Sequence, residues 1–396
     1  METQHPNFDL LIERTDEGLF SIVQDSPAGS AAAVVHSPFT YEELQALWLT
    51  LQEPHQNESI RMEQQRTASR TYGEQLFRAF CTGEVADCLR NSLNIALRDR
   101  TPLRIRLMVK NAPELVHLPW EYLYNPETHE FLALSGQSTL VRYIDLRHQI
   151  RPYVVEQPLR VLVMIASPEN HPQLHLEREW LGLLDTLDHL ALQGKLIVEL
   201  LRDPTLVGLQ RQLREKKYHI FHFVGFGAFD QGSFNTVSQD GLLLFEDKMG
   251  RGRYVSGQHV GNLLRDHYSV RLAVLNLRQH RNDPARNPFI NAAQSILQRG
   301  VPAAVTFSAE SSPISAVNFI DEFYAAIANY ENVDSAITLA RRSVQNIEAS
   351  AAWGSPIYFT RTARGKIFHD PAAGPLPAFD EPLTGPVDDL RLRYLI

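Results

Sequence analysis

Residues 218–230 read YHIFHFVGFGAFD. From Tyr218 to Val224 aromatic and β-branched residues dominate, broken only by His219 and His222. A near-continuous apolar run of this kind is the mark of a parallel strand covered on both faces. In open α/β sheets reactive groups and ligands collect just past the carboxyl ends of such strands. Gly225 and Gly227 therefore bracket a position where chemistry is expected, and the residue there is Phe226. A phenyl ring neither takes nor gives a proton.

Four more apolar runs have the same character: RVLVMIA (160–166), KLIVELL (195–201), RLAVLNL (271–277) and AAVTFS (303–308). Amphipathic segments such as LEREWLGLLDTLDHLALQ (176–193) and SGQHVGNLLRDH (256–267) separate them. Strand and helix in alternation predict an α/β fold, a mainly parallel sheet flanked by helices and wound by right-handed crossovers. GLLLFEDKMGRGRYVSG (241–257) interrupts the alternation as a local hairpin. Two helices (314–329 and 333–350) and a last strand, SPIYFT (355–360), follow.

Upstream, FDLLIE (8–13) and LFSIVQ (19–24) flank a Gly-containing turn and predict a hairpin. In FTYEELQALWLTLQ (39–52), Thr40 and Glu43 form a capping box ahead of helically spaced apolar residues. GEQLFRAF (73–80) and ADCLRNSLNIALRD (86–99) predict further helices. LRIRLMV (103–109) alternates with period two and predicts a half-exposed strand, with Arg104 and Arg106 on the outer face. The expected organisation is a smaller N-terminal α/β region (1–157) packed against the main domain (158–368), then a Pro/Gly-rich tail (369–396). The end of the tail, DDLRLRYLI (388–396), alternates charged and apolar residues and suits an added edge strand on this or another chain. Asp388, Asp389, Leu390 and Tyr394 are the candidate docking residues; packing of the tail on its own domain fits the pattern equally well.

The net charge of -8 gives no global positive field for nucleic acid or anionic membrane. No apolar run reaches membrane-spanning length, and METQHPNFDLLIERTDEG lacks the basic-then-apolar order of a secretion signal. A cytoplasmic location is the expectation. Cys81 and Cys88 cannot make a disulfide framework and read as small core residues. Fifteen histidines without a CxxC or HExxH motif predict no metal, and a lone GFG after a strand predicts no nucleotide or other cofactor.

Six collinear blocks carry a resemblance: residues 118–144 (from LPWEYLY), 218–229, 241–250, 271–279 (RLAVLNLRQ), 296–308 (ILQRGVPAAVTFS) and 319–344. Together they resemble the CHAT family of caspase-like (clan CD) cysteine peptidases. The resemblance implies a caspase-like sheet whose third strand ends in HxxGHG, with the catalytic histidine between the glycines. It also implies a fourth strand ending in LNxC with the nucleophile. By that alignment HFVGFG puts Phe226 at the histidine position, and LNLR puts Arg278 at the cysteine position. The chemistry needs a thiolate whose proton passes to an imidazole and on to the leaving amine. Phenylalanine cannot serve, and guanidinium is a permanent cation. The implied protein is a pseudopeptidase without catalytic residues, whose remnant groove comprises His222, Gly225, Gly227, Asn276, Arg278, His280 and Arg281.

Arg278, Arg281 and Arg253 would make that groove attractive to an acidic segment; alternatively Arg278 fills the old cysteine pocket and pairs with Asp283 or Asp247. The resemblance further implies a bacterial defence or cell-death setting. There the chain would bind a protein partner, an active peptidase or signalling protein of the same system, or assemble with copies of itself. The competing class is a hydrolase using Ser308, Ser311, Ser312 or a cysteine, or a site completed by another chain. Trp120 and Glu121, which match the family's PWE block, read as a buried structural anchor.

Overall fold

The computed structural model describes residues 6–52, 58–146, 150–229, 240–278, 287–308, 313–348 and 350–376. One sheet of eleven strands runs through it. In spatial order these are Leu196–Leu200, Leu159–Ile165, Ile220–Gly225, Leu272–Leu277, Ala303–Ser308, Ile357–Thr360, Ser138–Tyr143, Leu103–Lys110, Asn7–Thr15, Gly18–Val23 and Ala31–Val35. The first five are parallel and are the five apolar runs of the sequence. Ile357–Thr360 reverses direction against Ala303–Ser308 and then pairs in parallel with Ser138–Tyr143. The N-terminal region is thus joined edge to edge, its strands continuing the sheet.

Residue alternation in the parallel strands feeds two cores. Ile220, Val224, Leu272, Val274, Val305 and Phe307 face one layer, with Leu183 and Leu187 of helix Leu176–Leu192 and Phe319 and Phe323 of helix Pro313–Ala328. Phe221, Phe223, Ala273 and Leu275 face the other, with Leu209 of helix Leu206–Glu215, Val260 of helix Gly257–Arg265 and Phe289 of helix Pro288–Arg299. Burial on both faces is why these strands lack a polar alternation.

The capping box forms as the sequence predicts: the Thr40 amide donates to Glu43 Oε2 at 2.8 Å, and the Glu43 amide to Thr40 Oγ1 at 3.3 Å. Strand Leu103–Lys110 departs from expectation. Rather than half exposed, it is buried or partly buried at every position but Lys110, and Arg104 is buried. Its Nε donates to Asp334 Oδ2 at 2.5 Å, and its Nη1 to the carbonyls of Thr362 (3.1 Å) and Ala363 (2.7 Å). Arg106 pairs with Asp9 of the adjacent strand. Polar residues at alternate positions predict solvent only when nothing covers them; here helix Val333–Glu348 supplies the covering carboxylate.

Candidate functional site

The parallel register sets Gly225 opposite Leu277, so residues 226 and 278 leave the sheet side by side. The Arg278 amide donates to the Gly225 carbonyl at 2.8 Å, and the Phe226 carbonyl accepts from Leu244 at 2.9 Å. Phe226 is buried. The flanking glycines serve close packing rather than a left-handed turn. A Cβ on Gly227 would stand 2.4 Å from the Phe289 ring, and one on Gly225 2.7 Å from the Phe223 ring. Strand Gly227–Phe229 then opens a separate three-stranded sheet with Gly241–Glu246 and Gly252–Ser256, the hairpin anticipated from sequence.

Arg278 turns towards helix Leu176–Leu192, where its Nη2 pairs with Glu179. The two side chains keep only 16% and 22% of their exposure, so the charge at this strand end is already matched by a carboxylate. Of the two expected acidic partners, Asp247 pairs with Arg251 instead, and Asp283 lies outside the described residues. Asn276, two positions earlier on the same face, is buried, and its Oδ1 has no hydrogen-bond partner among the described residues. Arg253 sits exposed on the hairpin. His280, Arg281, Ser311, Ser312, and Asp388, Asp389, Leu390 and Tyr394 of the tail lie outside the described residues.

His222 is fully buried, its Nδ1 2.8 Å from the Tyr324 hydroxyl and its ring stacked on Tyr324. The expected hydrogen bond inside the sheet is therefore one to a covering helix. His222 lies four positions before Phe226, about 13 Å at 3.3 Å per residue, too far to serve residue 278 as a base. Burial pulls its pKa from 6.5 down to about 3. The folded state holds this imidazole neutral while the unfolded chain takes up a proton below its ordinary pKa, so His222 costs stability as pH falls from about 6.5 towards 3. Between pH 7 and 5 this amounts to about 2 kcal/mol. Urea unfolding should show the stability of His222→Gln falling less over that interval by this margin; equal falls would mean that His222 titrates normally.

Neither cysteine lies near these strand ends. Cys81 and Cys88 belong to the core of the N-terminal region. Burial raises the Cys81 thiol to about 12, which keeps it protonated and unreactive. Cys88 Sγ lies 3.2 Å from Ser26 Oγ. Ser308 ends the strand beside residue 277, its amide 3.3 Å from Ser355 Oγ. Glu121 is buried and forks onto Arg142, with Nε to Oε1 at 3.0 Å and Nη2 to Oε2 at 2.6 Å, a structural anchor rather than a reactive acid. Among the described residues no group of His, Cys, Asp and Glu could hold a metal ion, and no helix is long and apolar enough to cross a membrane.

Sequence reading missed Glu179. Its only local signal is an acidic first turn on an amphipathic helix, which commonly reflects the helix dipole.

Residues 70–369 match the CHAT domain, well over half of the chain, and the chain belongs to the CHAT family. Among solved structures, the separase–securin complex of Saccharomyces cerevisiae is similar, with a TM-score of 0.37 and 11% identity. The alignment covers 66% of this chain and 15% of that one. No curated protein matches the sequence.

Proposed function

We propose that this CHAT protein is a pseudopeptidase that acts by binding protein, as a regulatory or self-assembling scaffold. The observation that carries the reading is the pair of neighbouring strand ends that bear Phe226 and Arg278 where the family resemblance puts a histidine and a cysteine. The Arg278–Glu179 ion pair supports it, because it fills the position with a neutralised cation where a peptidase needs a thiolate. The same pair weakens the idea of an open cationic groove, so recognition by shape and backbone hydrogen bonds is favoured over attraction of an acidic peptide. A cytoplasmic bacterial defence or cell-death module, with a peptidase or signalling partner of the same system, is the setting that the family resemblance suggests.

Incubation of the full chain with a broad peptide mixture tests this, read by mass spectrometry. No sequence-specific cut is expected, and Arg278→Ala should leave the pattern unchanged. A specific cut abolished by one serine or cysteine substitution would establish the opposing reading, a hydrolase with a non-standard nucleophile.

A further inference from the structure

Strand Ala31–Val35 ends the large sheet and bonds on one side only, antiparallel to Gly18–Val23. Among the described residues its backbone meets no partner on the other side. An open edge is a template for another strand, and proteins ordinarily blunt it with charge, proline, a bulge or a cover. The opposite edge does so: strand Leu196–Leu200 follows Lys195 and carries Glu199, which pairs with Arg160 and Lys216. Ala31–Val35 has no such guard. No Asp, Glu, Lys or Arg occurs between Asp25 and Glu42, although these make up 21% of the chain, and Pro27 and Pro38 lie outside the strand. Its register against Gly18–Val23 runs without a bulge. Val34 is nevertheless 60% exposed, and Ala32 on the same face is exposed beside it.

We propose that this edge joins two copies of the chain, strand Ala31–Val35 pairing antiparallel with itself across a two-fold axis at Ala33. That pairing sets Ala31 against Val35 and Ala32 against Val34 of the second copy, small residue against β-branched, with no like charges opposed. A five-residue edge alone falls short of a stable interface, which buries on the order of 1,200–2,000 Å². Helix Gly83–Arg98 supplies more area. It lies under this strand, so the two-fold axis sets the two copies of the helix side by side and antiparallel. Exposed Glu84 in the first turn of one then stands beside exposed Arg98 and Arg100 at the end of the other, and the positive dipole end of each helix meets the negative end of its mate. Strand and helix each complement their own reverse, which favours a second copy over an unrelated strand. The strand ends that bear residues 226 and 278 lie at least seven strands from the joint, about 34 Å at 4.8 Å per strand, so both copies keep the site open. The joint gives self-assembly a surface without resting on the loss of the dyad.

Sedimentation velocity of the full chain from about 1 to about 100 µM tests the proposal, and a dimer is expected within that range. Ala32→Lys combined with Val34→Lys opposes lysines at both outer pairs and should raise the dissociation constant by at least about tenfold. Both positions are exposed in the single chain, so far-UV circular dichroism of the variant should match the parent. Oxidation reads the register. A chain with Ala32→Cys and Val34→Cys places each thiol opposite one of the second copy and should become a disulfide-linked dimer, whereas either substitution alone should not. A single-chain mass at every concentration would overturn the proposal in favour of an edge covered by the chain's own residues or by another protein, and would leave the pseudopeptidase reading standing. A dimer that the two lysines leave intact would place the interface elsewhere.

Discussion

A chain carrying Phe226→His and Arg278→Cys is expected to cleave peptide bonds that the parent leaves intact. Residues 226 and 278 lie side by side at the ends of paired strands, with the Arg278 amide fixed on the Gly225 carbonyl at 2.8 Å, so the backbone already holds the two positions together. A positioned imidazole contributes on the order of 10²–10⁴-fold as a general base. The double variant should exceed Arg278→Cys alone by at least about 10². Glu179 sets a further condition. Once Arg278 is gone its carboxylate faces the new thiol without a counter-charge, and a nearby negative charge disfavours the thiolate. Adding Glu179→Gln should therefore raise the rate of the double variant and shift its pH–rate profile to lower pH. Active-site titration with an alkylating peptide would count competent sites. A triple variant that folds, alkylates at residue 278 and yet turns nothing over would show that the strand ends lack dyad geometry and would remove the main support for a peptidase ancestry of this groove.

Asp334→Ala should be among the most destabilising single substitutions in the chain, by about 3–5 kcal/mol, because it leaves Arg104 charged and buried. The pair is nearly dry, with 2% and 8% side-chain exposure. The remaining partners of Arg104 are the Thr362 and Ala363 carbonyls, which satisfy donors but not charge. Asp334 also packs under Gly365, where φ is +70° and a Cβ would stand 2.4 Å from Oδ2, so the loop is shaped around this carboxylate. Arg104→Met with Asp334→Leu should recover much of the loss, since an apolar pair of similar volume often replaces a buried ion pair at little cost. Urea unfolding of the two single variants and the double variant gives the coupling energy directly. Additive losses would mean that the pair contributes only through packing.

The parallel strands were legible because burial on both faces writes itself into contiguous apolar residues, as in HFV before Gly225 and LAVLNL before Arg278. The unusual residues at their ends were legible for the same reason: once a strand is recognised, the position after it is known. Strand Leu103–Lys110 misled, since its two arginines alternate as solvent-facing residues would, although one of them is buried. Strands Ser138–Tyr143 and Ala31–Val35 passed unnoticed, the first short and mixed in polarity, the second rich in alanine, which has little strand preference.

Sequence by itself determined the class of fold, the alternation of its five parallel strands with helices, the CHAT resemblance, and the identity of the two residues at the paired strand ends. Tertiary structure alone decided which charges meet. Glu179 stands 99 residues from Arg278, and Asp334 stands 230 from Arg104. Periodicity is a local property that each segment carries in its own residues. The partner of a buried charge is whichever group folding brings within a few ångströms, and no pattern along the chain encodes that distance.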